Sequence, residues 1–115
     1  MPNTFKVITR DVAPASAGTP ETIYTVQTGS TLVVQSIFLT NVHTAQVDVT
    51  LQLVSTTTQT NQTQNTTAHF LKDVPLPAKS SLEVNKINMN EGDIIKVDCS
   101  VADKVSVVMN YMEIT

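Results

Sequence analysis

The chain has 115 residues and a net charge of −3, so one domain is expected. Only 15% of its residues are charged, and its seven basic residues are scattered. This excludes the basic patch that nucleic-acid binding requires and the polybasic cluster of a membrane anchor. A lone cysteine, Cys99, excludes an intrachain disulfide and a Cys-rich zinc site, while 18 Thr, 16 Val and 7 Ile favour pleated strands over helices.

At the start, Met1 to Lys6 has no basic stretch leading into an apolar one, so no secretory signal is expected. Phe5 to Val12 reads as a first strand, and Pro14, Gly18 and Pro20 separate it from a second over Glu21 to Gln27. Thr28-Gly29-Ser30 reads as a short hairpin connection. The run Leu32 to Leu39 follows, interrupted by Gln35 and Ser36 and far too short to span a bilayer. Strict alternation puts Val33, Ile37 and Leu39 on one face and Leu32, Val34 and Phe38 on the other. Both faces are then apolar and both need cover.

His43-Thr44 reads as a turn. From Ala45 to Val54 the alternation is clean: Ala45, Val47, Val49, Leu51 and Leu53 point one way, Gln46, Asp48, Thr50 and Gln52 the other. Residues 55–67 then form a tract of Ser, Thr, Gln and Asn without charge, Gly or Pro. Such a tract is either a long exposed loop or a hairpin arm projecting from the domain, with Thr57, Gln59, Asn61, Gln62, Gln64 and Asn65 available for recognition.

Ala68 to Val74 is the fifth strand, which Pro75 and Pro77 should end. Ser81 to Lys86 is the sixth. Asn90-Glu91-Gly92-Asp93 is a tight turn with Gly92 at positive φ. In the seventh strand, Ile95, Val97, Cys99 and Val101 face the core, which makes Cys99 a small buried hydrophobe. Ala102-Asp103 leads to the last strand, Lys104 to Thr115. There Val105, Val107, Met109 and Tyr111 share one face, and Val108, Met112 and Ile114 form much of the other. The pattern predicts an all-β chain, with residues 1–115 forming a single antiparallel β-sandwich of about eight strands, jelly-roll or immunoglobulin-like.

Chemistry-bearing residues do not assemble into a motif. His43 and His69 have no Cys, Asp or Glu at ligand spacing, so no metal site and no cofactor is expected. No nucleophile elbow occurs. Glu83, Glu91, Asp93 and Asp98 read as turn and solvent-face carboxylates rather than a glycosidase pair. With three glycines the chain cannot build a phosphate-cradling loop, and without Trp an aromatic sugar platform would need Tyr24 and Tyr111 both facing outward. An enzyme is not expected.

The words Ile23-Tyr24-Thr25-Val26, Gly29, Leu32 to Leu39 ending in Thr40-Asn41, Val47 to Leu53, Pro75-Leu76-Pro77-Ala78 and Asn90-Glu91-Gly92-Asp93-Ile94-Ile95 together resemble a group of small virion structural proteins of tailed bacteriophages. The resemblance runs from about Glu21 onward and departs from the group at the 55–67 insert. It implies a β-sandwich of the virion, assembled in the host cytoplasm, that decorates a capsid or builds a neck or tail appendage. The group has no catalytic residues to carry over.

On that reading Leu32, Val34, Phe38, Val108, Met112 and Ile114 are interface residues. The partners are further copies of the chain and other virion proteins, with no nucleic acid and no membrane. The alternative is a receptor- or glycan-binding module of a tail fibre, which meets a host-surface glycan through the polar tract.

Overall fold

A computed structural model describes residues 3–55 and 66–115. Eight strands follow one another without a helix among the described residues: β1 (Asn3–Ala13), β2 (Glu21–Thr25), β3 (Thr31–Asn41), β4 (Val47–Val54), β5 (Thr67–Leu76), β6 (Ser81–Met89), β7 (Ile94–Cys99) and β8 (Val105–Ile114). They form two four-stranded antiparallel sheets. The first has the order β1-β8-β3-β6 and the second β2-β7-β4-β5.

The ladders β1–β8, β2–β7, β3–β6 and β4–β5 nest inside one another along the chain. This is the jelly-roll winding, not the immunoglobulin one. Its consequence is that only β4 and β5 are consecutive strands of one sheet, and every other connection crosses between sheets. Thr28-Gly29-Ser30 is therefore a crossing turn and not the expected hairpin; Gly29 takes φ +85° there, a conformation that costs glycine little. Pro75 does not end β5, which runs on to Leu76. β5 is an edge strand, where a missing N–H costs no ladder bond.

The core lies between the sheets. Leu32, Ile37, Leu39, Met89 and Met109 from the first sheet meet Val47, Leu51, Ile95 and Val97 from the second, all essentially without exposure. The sheets are also tied by polar contacts. Asn41, fully buried at the end of β3, donates through Nδ2 to the carbonyls of Ala45, Leu76 and Pro77, and its Oδ1 accepts from the His43 N–H. A buried amide satisfied on four sides holds its site without a desolvation penalty.

Strict alternation fails in β3. Its register with β8 shifts by one residue between Val34 and Ser36, so Gln35 is an extra residue, a β-bulge. The facing strand accommodates it with Lys86, which has φ +59° and stands across the same gap in the β3–β6 ladder. One added residue reverses which side chains point inward. Leu32 and Val34 therefore share the core face with Ile37 and Leu39, not the outer face with Phe38 as expected. Val33 and Phe38 take the outer face.

Candidate interaction surface

Residues opposite one another in a ladder share a face, so the register maps the outside of the first sheet in rows. Phe5, Met112 and Val33 make one row across β1, β8 and β3. Val7, Asn110 and Ser36 make the next, and Asn110 Nδ2 donates to Ser36 Oγ at 3.1 Å. Thr9, Val108 and Phe38 make a third. Ile114 extends the surface beside Asn3 and Thr31. Towards β6 the face turns polar, with Asn88, Asn85 and Glu83 ending the three rows. Phe5 and Val7 are 69% and 58% exposed, far more than core packing would allow.

Of the residues expected to form an interface, Phe38, Val108, Met112 and Ile114 thus lie together on this outer face, half-buried by their neighbours. Leu32 and Val34 do not: both are fully buried inside the sandwich and can meet no partner. Phe5 and Val7 belong to the face but were not among those expected, because on sequence β1 shows Lys6 and Arg10 alternating with apolar residues. Such a strand normally turns its charges to water. Here Phe5 and Val7 take the outer face, while Lys6 and Arg10 lie along the open side of the sandwich, still 45% and 41% exposed.

The reason is a polar cluster along the open side of the sandwich. Lys6 Nζ donates to Glu113 Oε1 at 2.6 Å, and Arg10 Nη1 donates to Glu21 Oε2 at 3.1 Å. Arg10 Nη2 also donates to the Thr22 carbonyl, tying β1 of one sheet to β2 of the other. Glu113 is buried, and the Tyr24 hydroxyl lies 3.5 Å from its second oxygen. The hydrogen bond to Glu113 and its charge hold the Lys6 ammonium above its ordinary range. Burial, with Tyr111 and Glu113 nearby, raises the Tyr24 phenol. Tyr24 and Tyr111 pack with ring centroids 5.5 Å apart, and Tyr111 is buried, so the two rings are not an outward sugar platform.

The outer face of the second sheet is different in kind. Thr22 stands opposite Lys96, Asp98 opposite Thr50, and Gln52 opposite both Lys96 and His69. His69 Nε2 lies 3.3 Å from Gln52 Nε2, and the Thr50 hydroxyl accepts from the Asp73 N–H at 3.0 Å. Cys99 is buried, and burial raises its thiol, so it holds its proton and packs as a hydrophobe. Among the described residues no three His, Cys, Asp or Glu side chains converge on a point that could hold a metal ion. No helix among them is long and apolar enough to cross a membrane. Ser55 N–H donates to the Thr66 carbonyl at 3.0 Å, so β4 and β5 are paired up to the edge of the polar tract. Thr57, Gln59, Asn61, Gln62, Gln64 and Asn65 themselves lie outside the described residues.

Comparison with protein-family models, with curated proteins and with solved structures found no match to this chain.

Proposed function

We propose that this protein is a non-enzymatic structural component of a tailed-phage virion, seated on the capsid or on a neck or tail appendage through the outer face of its first sheet. The observation that supports this is the apolar face itself. An antiparallel sheet that meets water on one side carries polar residues there, yet Phe5, Val7, Val33, Phe38, Val108, Met112 and Ile114 gather on one side of three adjacent strands. Exposed apolar surface of this continuity is characteristic of surfaces that other chains cover. The jelly roll serves viral shells and lectins alike, and the fold is compatible with the reading.

The test is the position of the protein in an intact particle, by cryo-electron microscopy or immunogold labelling. Density or label at a repeated site, lost when Phe38→Lys and Met112→Lys are combined, is the expected result. A chain that stays monomeric at high concentration and is absent from purified virions overturns the proposal.

A further inference from the structure

Among the described residues the sandwich has four edge strands, and three of them are built to refuse a neighbour. β2 has five residues and a register shift at Ile23. β5 has two register shifts, a positive φ at Asp73 and a proline at position 75. β6 carries the positive φ of Lys86 at its middle. Bulges, prolines and short length are the usual means of keeping an edge from pairing. β1 has none of them over its first eight residues: Asn3 to Arg10 pair with β8 without a break. Every second residue of such a strand directs its N–H and C=O to the open edge. The inward charges of β1, which would also guard an edge, are already engaged within the molecule by Glu113 and Glu21.

We infer that the β1 edge is a docking site for a second copy of this chain, which adds its own β1 antiparallel across a two-fold axis at Val7. Charge and the length of unbroken strand together select this register, since an axis at Thr9 would run past Arg10 into the register break before Ala13. An axis at Lys6 sets Lys6 against Lys6, and an axis at Ile8 sets Lys6 against Arg10; like charges opposite one another destabilise a pair. An axis at Phe5 leaves only Asn3 to Val7 to pair. With the axis at Val7, Thr4 to Arg10 pair: Val7 meets Val7, Phe5 meets Thr9, Lys6 meets Ile8, and Thr4 meets Arg10. The row Val33–Met112–Phe5 of one copy then runs into the row Thr9–Val108–Phe38 of the other. The two first sheets become one eight-stranded sheet with a continuous apolar outer face. The contact is isologous and closes on itself, so it yields a dimer and not a fibre. The inference stands on the backbone edge and does not depend on the virion assignment.

Sedimentation and cysteine cross-linking test it on the whole chain. The wild type should sediment as twice 12.5 kDa, and Val7→Lys, which opposes two ammonium groups, should return it to 12.5 kDa with an unchanged circular dichroism spectrum. Val7→Cys should give a covalent dimer on mild oxidation. Thr9→Cys should not, because two copies of residue 9 lie four positions apart in this register, and neither should the wild type with its buried Cys99. The cross-linking arm holds even if Val7→Lys fails to fold. Met112→Lys should retain the dimer. A wild type that is monomeric throughout, equal cross-linking at positions 7 and 9, or dispersal by Met112→Lys as complete as by Val7→Lys would overturn the inference. The last result would leave the apolar face, and with it the proposed function, standing.

Discussion

The central strands β7 and β8 make an instructive pair. Each is flanked on both sides within its sheet, and each alternates strictly between buried and half-buried residues. Inward they are equivalent: Ile95, Val97 and Cys99 on one, Val105, Val107, Met109 and Tyr111 on the other. Outward they part. β7 shows Ile94, Lys96 and Asp98, two of three charged, whereas β8 shows Ser106, Val108, Asn110, Met112 and Ile114, three of five apolar and none charged. The inward half of an alternation is set by the need to exclude water from the core, and it looks alike in any sandwich. The outward half is free of that need, and it is mainly polar on the second sheet and largely apolar on the first.

The largest effect should come from the strand where inside and outside exchange places. Leu32→Ala, which empties part of the core, should lower stability by about 2–5 kcal/mol. Met112→Ala, on the outer face, should cost about 1 kcal/mol or less. Urea titrations of the two variants check this, and equal losses would break the distinction between the core and the outer face. Asn41→Ala comes next. It strips partners from the Ala45, Leu76 and Pro77 carbonyls where the sheets are stitched together, at a cost of about 1–3 kcal/mol, measurable in the same titration.

A smaller effect concerns pH. Lys6 and Tyr24 both hold their protons more tightly in the folded chain, so their contributions are complete below the ordinary values of 10.5 and 10.0 and fade as pH climbs through the raised ones. Stability should therefore decline at alkaline pH, and Lys6→Gln and Tyr24→Phe should each flatten the decline. A wild-type urea midpoint constant past pH 10.5 would contradict this. The smallest effect on stability is expected from Met112→Lys and Lys96→Ala, each within about 0.5 kcal/mol. The two should differ in another measurement: Met112→Lys should reduce binding of an apolar dye, and Lys96→Ala should leave it unchanged.

Much of this was legible in the residues. The eight strands, the core faces of β4 from Val47 onward, β7 and β8, and the burial of Cys99 follow from period-2 alternation, which a half-buried strand imposes on its own sequence. Ala45, expected on the same face, lies exposed ahead of β4, and Thr50, expected outward, is buried where its hydroxyl meets Asp73. Phe38, Val108, Met112 and Ile114 were legible as a second apolar face for the same reason. The interruption Gln35-Ser36 was a visible trace of the bulge in β3. Skipping one residue there aligns Leu32, Val34, Ile37 and Leu39 into one aliphatic face.

What the chain alone settled is therefore the class of fold, since β-branched alternation with sparse turns has few other ways to bury itself. Three things belonged to the tertiary structure. The winding was decided by which ladders nest, a matter of pairings between residues up to the full length of the chain apart. The inner face of β3 was decided by a one-residue bulge that β6 had to match with Lys86. The outward turn of Phe5 and Val7 was decided by Glu113 and Glu21, which bring counter-charges to the sandwich edge and draw Lys6 and Arg10 inward. Each depends on a partner far away in sequence, and local alternation carries no information about such a partner.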